Sequence, residues 1–192
     1  MALSNPLSRY EYHPQRQQIV NWMVTVGSVF LCLLLLPMRI PGMVLLGVTP
    51  NWLLIWVVAW SMKRTVFQGA IAGLVLGLIQ DGMTSPDPTH TISLIVVGVL
   101  TACLQKQRYL QEDFISVALI VFGMTILAEV ISALQFFFLD LTTTSTGTFT
   151  IQQRQQAALA SAIVSSLWAP AVYYPLNYWW ARMKVLHKRA GM

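Results

Sequence analysis

A chain of 192 residues that returns repeatedly to apolar runs of bilayer-crossing length has few architectures open to it. A hydrocarbon core is about 30 Å thick and a helix rises ~1.5 Å per residue, so roughly 20 apolar residues cross it. Lipid offers the backbone no hydrogen-bond partners, so crossing segments satisfy themselves as helices. Six apolar stretches read as crossing segments, at about 19–36, 43–62, 65–80, 91–104, 114–139 and 157–180, the fourth short enough that its start is expected a residue or three earlier. We therefore expect an all-α integral membrane protein, a six-helix transmembrane bundle. Composition agrees, because 56% hydrophobic and 10% charged residues depart from an ordinary soluble domain in both directions.

The spans occupy one membrane domain, 19–180, between a polar tail at 1–18 and a basic tail at 181–192. The first run opens on Trp22, is stopped by Pro37 and Pro41, and has no small-residue cleavage pattern behind it, so it reads as a retained span. The second is interrupted by Pro50, which leaves two conformations open: a kinked helix, or an irregular piece followed by a short helix. DGMTSPDPTH is dense in turn formers and reads as a loop. QKQRYLQED is a polar hinge, and LTTTSTGTFTIQQRQQ reads as an extramembrane connection. The last span contains Pro170 and Pro175 and ends in an aromatic belt from Tyr173 to Trp180.

The net charge of +5 could suggest nucleic acid, but the basic residues stand in ones and twos at span ends and form no stripe. They read instead as topology signals, with no nucleic-acid partner. With the N-terminus inside, Arg9, Arg16, Lys63, Arg64, Lys106, Arg108, Arg182, Lys184, Lys188 and Arg189 are cytoplasmic, leaving Arg39 and Arg154 outside. That bias fits an even number of spans with both termini in the cytoplasm.

Candidate functional residues are few. Gly69, Gly73 and Gly77 recur every four residues along one face of the third span, where small residues allow backbones to approach. Ala157, Ser161, Ser165 and Ala169 repeat the device in the sixth, so helices three and six are expected at the centre of the bundle. Glu129 is the one ionisable residue of the fifth span, and an acid at that depth is expected to face protein or a water-filled cavity. Ala118, Thr125, Ser132 and Ala133 share its side of the helix, so that side is expected to face inward, with the larger Val117, Val121, Met124 and Leu134 mostly elsewhere. Three roles stay open for Glu129: a hydrogen bond to another helix, a partner or ligand contact, or a proton-coupled function. Asp81 lies in the same half of the membrane, either as a solvated acid past a helix end or lining one outward-opening cavity with Glu129.

No nucleophile turn, His-Glu-x-x-His or phosphate-binding loop is present, and His13, His90 and His187 fall in three separate extramembrane segments. Asp81, Asp87, Asp113 and Asp140 lie at span ends or in loops, unlike a facing intramembrane pair. Cys32 and Cys103 read as small buried hydrophobes. We expect no enzyme, no metal and no cofactor.

The string VTPNWLLIWVVAWSMKRTVFQGAIAGLVLGLIQDGM resembles the rod shape-determining protein MreD family. The shared elements are a proline followed by an acid or amide and an apolar helix, a short basic turn, then G-x-x-x-G-L-x-x-D. Here they are Pro50, Asn51, Gly73, Gly77, Leu78 and Asp81. Two departures stand out: Asn51 replaces a common Asp, and a glycine usual after the Asp loop is replaced around His90 and Thr91. The resemblance implies a small six-span protein of the bacterial cytoplasmic (inner) membrane, with a fold similar to the S-components of energy-coupling-factor transporters. It further implies a non-catalytic subunit of the cell-elongation complex, associated with MreC and through it with MreB, RodA and a class B penicillin-binding transpeptidase, among membrane lipids. A small-molecule-binding transporter subunit is the rival. Those subunits usually carry Ala-x-x-x-Ala in the first helix, and here that span contains no alanine.

Overall fold

A computed structural model of the chain describes residues 14–38, 47–84, 90–106, 114–142 and 151–190. Six helices occur in order: α1 (Pro14–Leu35), α2 (Trp52–Ser61), α3 (Val66–Thr84), α4 (His90–Lys106), α5 (Phe114–Thr142) and α6 (Ile151–Ala190). Apolar windows long enough to cross a membrane occupy Val66–Met83, Phe114–Gln135 and Gln156–Met183, with shorter apolar helices at Ile19–Leu35, Trp52–Ser61 and His90–Leu104. Helices at both ends outrun their apolar windows. The IQQRQQ segment, expected in a connection, is the first part of α6, and α6 continues through Pro170 and Pro175 to Ala190.

The centre is α2, not the expected pair of helices three and six. Among the described residues α3 and α6 do not touch, whereas α2 meets all five other helices. The reason lies in composition: WLLIWVVAWS has no polar stripe, and a helix apolar on every face is stable where every face is covered. All its residues except Trp60 are buried, with Leu53, Leu54, Val57 and Val58 at 0% exposure. The others wrap it, α3 on α4, α4 on α5 and α5 on α6, with α1 against α2 and α6. Trp52 meets Trp168 of α6 at 6.0 Å between ring centroids, and the Trp56 indole N–H donates to Ser28 Oγ of α1 at 2.9 Å.

The outer faces are apolar. Trp22, Met23 and Phe30 on α1, Phe67 and Leu78 on α3, Ile115 and Leu119 on α5 and Leu167 on α6 are all exposed. Apolar surface on this scale is unsuited to water and suited to lipid or to partner helices. Cys32 is buried, but Cys103, expected to be buried too, is exposed on that surface. At one end of the bundle Lys63 Nζ donates to Asn177 Oδ1, Phe114 stacks on Tyr174, and the Arg64 and Arg182 guanidinium groups lie over the rings of Trp60 and Tyr178. The last turn of α3 and the first turn of α4 lie at the other end.

Candidate functional site

The glycines of α3 are a contact with α4. A methyl group built on Gly69 would sit 2.6 Å from the carbonyl oxygen of Gly98, and one on Gly77 would sit 2.5 Å from Thr91 Cα. On Gly73 it would overlap the Leu94 carbonyl and come 2.8 Å from Ile95 Cα. The neighbours are backbone atoms, which do not swing aside as a side chain does. α3 and α4 therefore lie closer together than any residue with a β-carbon permits.

Asp81 completes the same hairpin. It lies in the last turns of α3, 6% exposed, and its carboxylate reaches the start of α4. Oδ1 accepts from the His90 backbone N–H at 2.8 Å, and Oδ2 accepts from the Thr91 N–H at 3.0 Å and the Thr91 hydroxyl at 2.6 Å. The His90 ring nitrogen Nδ1 stands 3.0 Å from Oδ1, where the carboxylate selects a ring protonated at that nitrogen. The first N–H groups of a helix have no partner within it, and the N-terminus favours negative charge. Asp81 meets both needs from another helix, as a cap in trans.

Pro50 and Asn51 do the corresponding work for α2. At ~1.5 Å per residue this ten-residue helix is about 15 Å long, half a hydrocarbon core, so an end of it lies at membrane depth. Asn51 is its N-cap: Oδ1 accepts from the Leu54 N–H at 3.2 Å, and its carbonyl accepts from the Ile55 N–H at 3.0 Å. Its own N–H donates to Ser165 Oγ of α6 at 3.0 Å. Pro50, buried beside it, lacks an N–H to satisfy and disfavours helix in the residue before it. Among the described residues of this segment, 47–50 are not helical and the helix begins only after the proline, at Trp52. Ser165 is 0% and Ser161 5% exposed, so the small-residue face of α6 lies in the interior. Asn51→Ala is expected to lower stability by about 1 kcal/mol, while Asn51→Asp, which keeps a capping oxygen, should fall within half of that. Thermal unfolding in detergent reads the difference.

Glu129 is placed otherwise than expected. The buried stripe of α5 is Val117, Val121, Met124, Thr125 and Ala128, while Ala133 is exposed. The large residues point inward because α2 presents a broad apolar surface that only branched and long side chains fill. Glu129, half-buried, flanks that stripe on the α4 side. One turn further along α5, Ser132 Oγ pairs with Ser93 Oγ of α4 at 2.9 Å. No group among the described residues hydrogen-bonds its carboxylate.

Sequence reasoning missed His90, Thr91, Ser93 and Gly98. A lone glycine without a ladder gives no periodic signal, and a cap whose donors lie nine and ten residues away leaves no local spacing to read. A signal did exist for Gly98: three glycines that admit a backbone need a neighbour with small residues, and α4 is the next helix in the chain.

The family described as rod shape-determining protein MreD matches residues 16–177. Searches of curated proteins and of solved structures found no significant match.

Proposed function

This chain belongs to the MreD family, and on that premise we propose that it is the non-catalytic membrane scaffold subunit of the bacterial cell-elongation complex, binding MreC. Its role lies in rod shape determination, as a structural membrane protein of the shape-determining complex. Through MreC it connects to MreB, RodA and the class B penicillin-binding transpeptidase and supports lateral peptidoglycan synthesis. It resides in the inner membrane with six spans and both termini cytoplasmic, in an arrangement similar to the S-components of energy-coupling-factor transporters.

The observation that carries this reading is the use made of the motif that spans Pro50 to Asp81. Its polar residues are engaged at helix ends inside the chain, Asn51 on α2 and Asp81 on α4, and its glycines on the α4 backbone. A motif used in this way builds a rigid body, and a rigid body with wide apolar faces suits the assembly of other membrane proteins. The concentration of basic residues beside the α2–α3 turn and the end of α6 supports the orientation.

Affinity purification of the tagged chain co-expressed with MreC in a mild detergent tests the proposal. MreC should co-purify in near-equal amount and be lost from a tag-only control. A well-folded chain that leaves MreC behind contradicts it.

A further inference from the structure

Glu129 lies about 15 residues into α5, so at ~1.5 Å per residue it is roughly 22 Å along the helix, inside the apolar window Phe114–Gln135. An acid facing lipid at a helix centre is strongly disfavoured, and such residues are paired or face protein. Among the described residues little answers it. The titratable groups of α4 and α3 near it are His90, whose ring already pairs with Asp81, and Asp81, whose oxygens are held by the start of α4. α2 and the 156–167 half of α6 contain no ionisable side chain. Yet the position is reachable from outside, since Val130 beside it is 58% exposed and Ala133 one turn on is exposed.

We propose that this flank of α5, with the adjoining face of α4, is the docking surface for a partner's transmembrane helix that carries a basic side chain at the depth of Glu129. Charge complementarity selects this occupant. A lipid chain brings nothing to a carboxylate at this depth, whereas Lys or Arg on a neighbouring helix neutralises it. Ala133 and the half-buried Ser132 allow that helix to approach closely, in keeping with membrane interfaces generally. The other broad faces lack such a feature: the mid-span exposed residues of α1 and α3, among them Val26, Phe30, Leu74 and Leu78, are apolar and match lipid as they stand.

The inference deepens the scaffold reading and rests on it. The test places a photo-crosslinking residue at Ala133, or at Leu74 of α3 as control, in the full chain co-expressed with MreC. Adducts from position 133 should map to a transmembrane segment within one turn of a Lys or Arg, with few from position 74. Glu129→Gln should lower their yield about tenfold with the melting temperature unchanged. Glu129→Lys, combined with an acid at the partner's basic position, should restore it. Adducts from position 74 but not 133, adducts to lipid alone, or an undiminished yield in Glu129→Gln would overturn the surface. Failure of MreC to co-purify with the unaltered chain removes the scaffold reading separately. The surface then stands only if position 133 captures another protein's transmembrane helix at a basic residue, and falls if it captures none.

Discussion

Gly73→Ala is expected to destabilise the protein by about 3 kcal/mol or more, although alanine is the better helix former. Helix propensity alone favours the substitution by up to about 1 kcal/mol. Against it, the new methyl overlaps the Leu94 carbonyl and lies 2.6 Å from its carbon, so two helix backbones must separate. Overpacking a well-filled interior costs about 1–3 kcal/mol when side chains can yield, and backbone yields less. Gly123 on α5 is the control, because a methyl there meets nothing within 4 Å. Gly123→Ala should be neutral or slightly stabilising. Thermal unfolding of both variants in one detergent decides the matter, and equal melting temperatures would remove the α3–α4 contact from the account.

Asp81→Asn is expected to cost about 3 kcal/mol, although it changes the side chain's size hardly at all. One carboxylate accepts from two backbone N–H groups and a hydroxyl, with the His90 ring as a further neighbour. An amide offers one oxygen in place of two, and its NH2 must face either His90 or Thr91, donor against donor. Leaving buried donors unmet costs about 1–3 kcal/mol each, and the favourable charge at the α4 N-terminus is lost as well. Hydrogen exchange is the specific readout. Amides in the first turn of α4 should exchange faster in the variant, while those in the middle of α5 and α6 keep their protection. Unchanged exchange at Thr91 and Ile92 would show that the cap is dispensable.

Both substitutions fall on residues that the sequence singles out, but the neighbours that make them costly are not legible there. Long apolar runs carry helix positions well, because such runs hydrogen-bond within themselves, and the runs overlap α1 and α3 to α6. Pro50 is legible as an interruption, since the pyrrolidine ring excludes an undisturbed helix there. The short helix after Pro50 is readable in principle: ten residues without a polar face belong in the interior, so α2 declares itself as the core by what it lacks. The small-residue patterns of α3 and α6 draw attention away, since each looks like a central seam. In fact one seats on α4, while Ser165 of the other meets Asn51 at the start of α2.

Glu129 shows the limit of face assignment from residue size. In water the buried side of a helix is the apolar side, but in a membrane every side is apolar and small size stands in for burial. On α5 that substitution misleads, because Val117, Val121 and Met124 fill the space against the core while Ala133 lies outside. Asp81 is hidden for another reason. Its partners come nine and ten residues later and belong to the next helix, so only the fold joins them.

On the scaffold reading this chain assembles with other membrane proteins, whereas on the transporter reading it binds a small molecule. Native mass spectrometry of the chain purified with MreC from co-expressing cells tests the scaffold reading most directly. The account predicts a species whose mass is the sum of this chain and MreC, surviving mild activation. The free chain alongside it should carry only lipid adducts of varied mass. A free chain that carries one defined small molecule in saturable fashion, with no species containing MreC, would contradict the account.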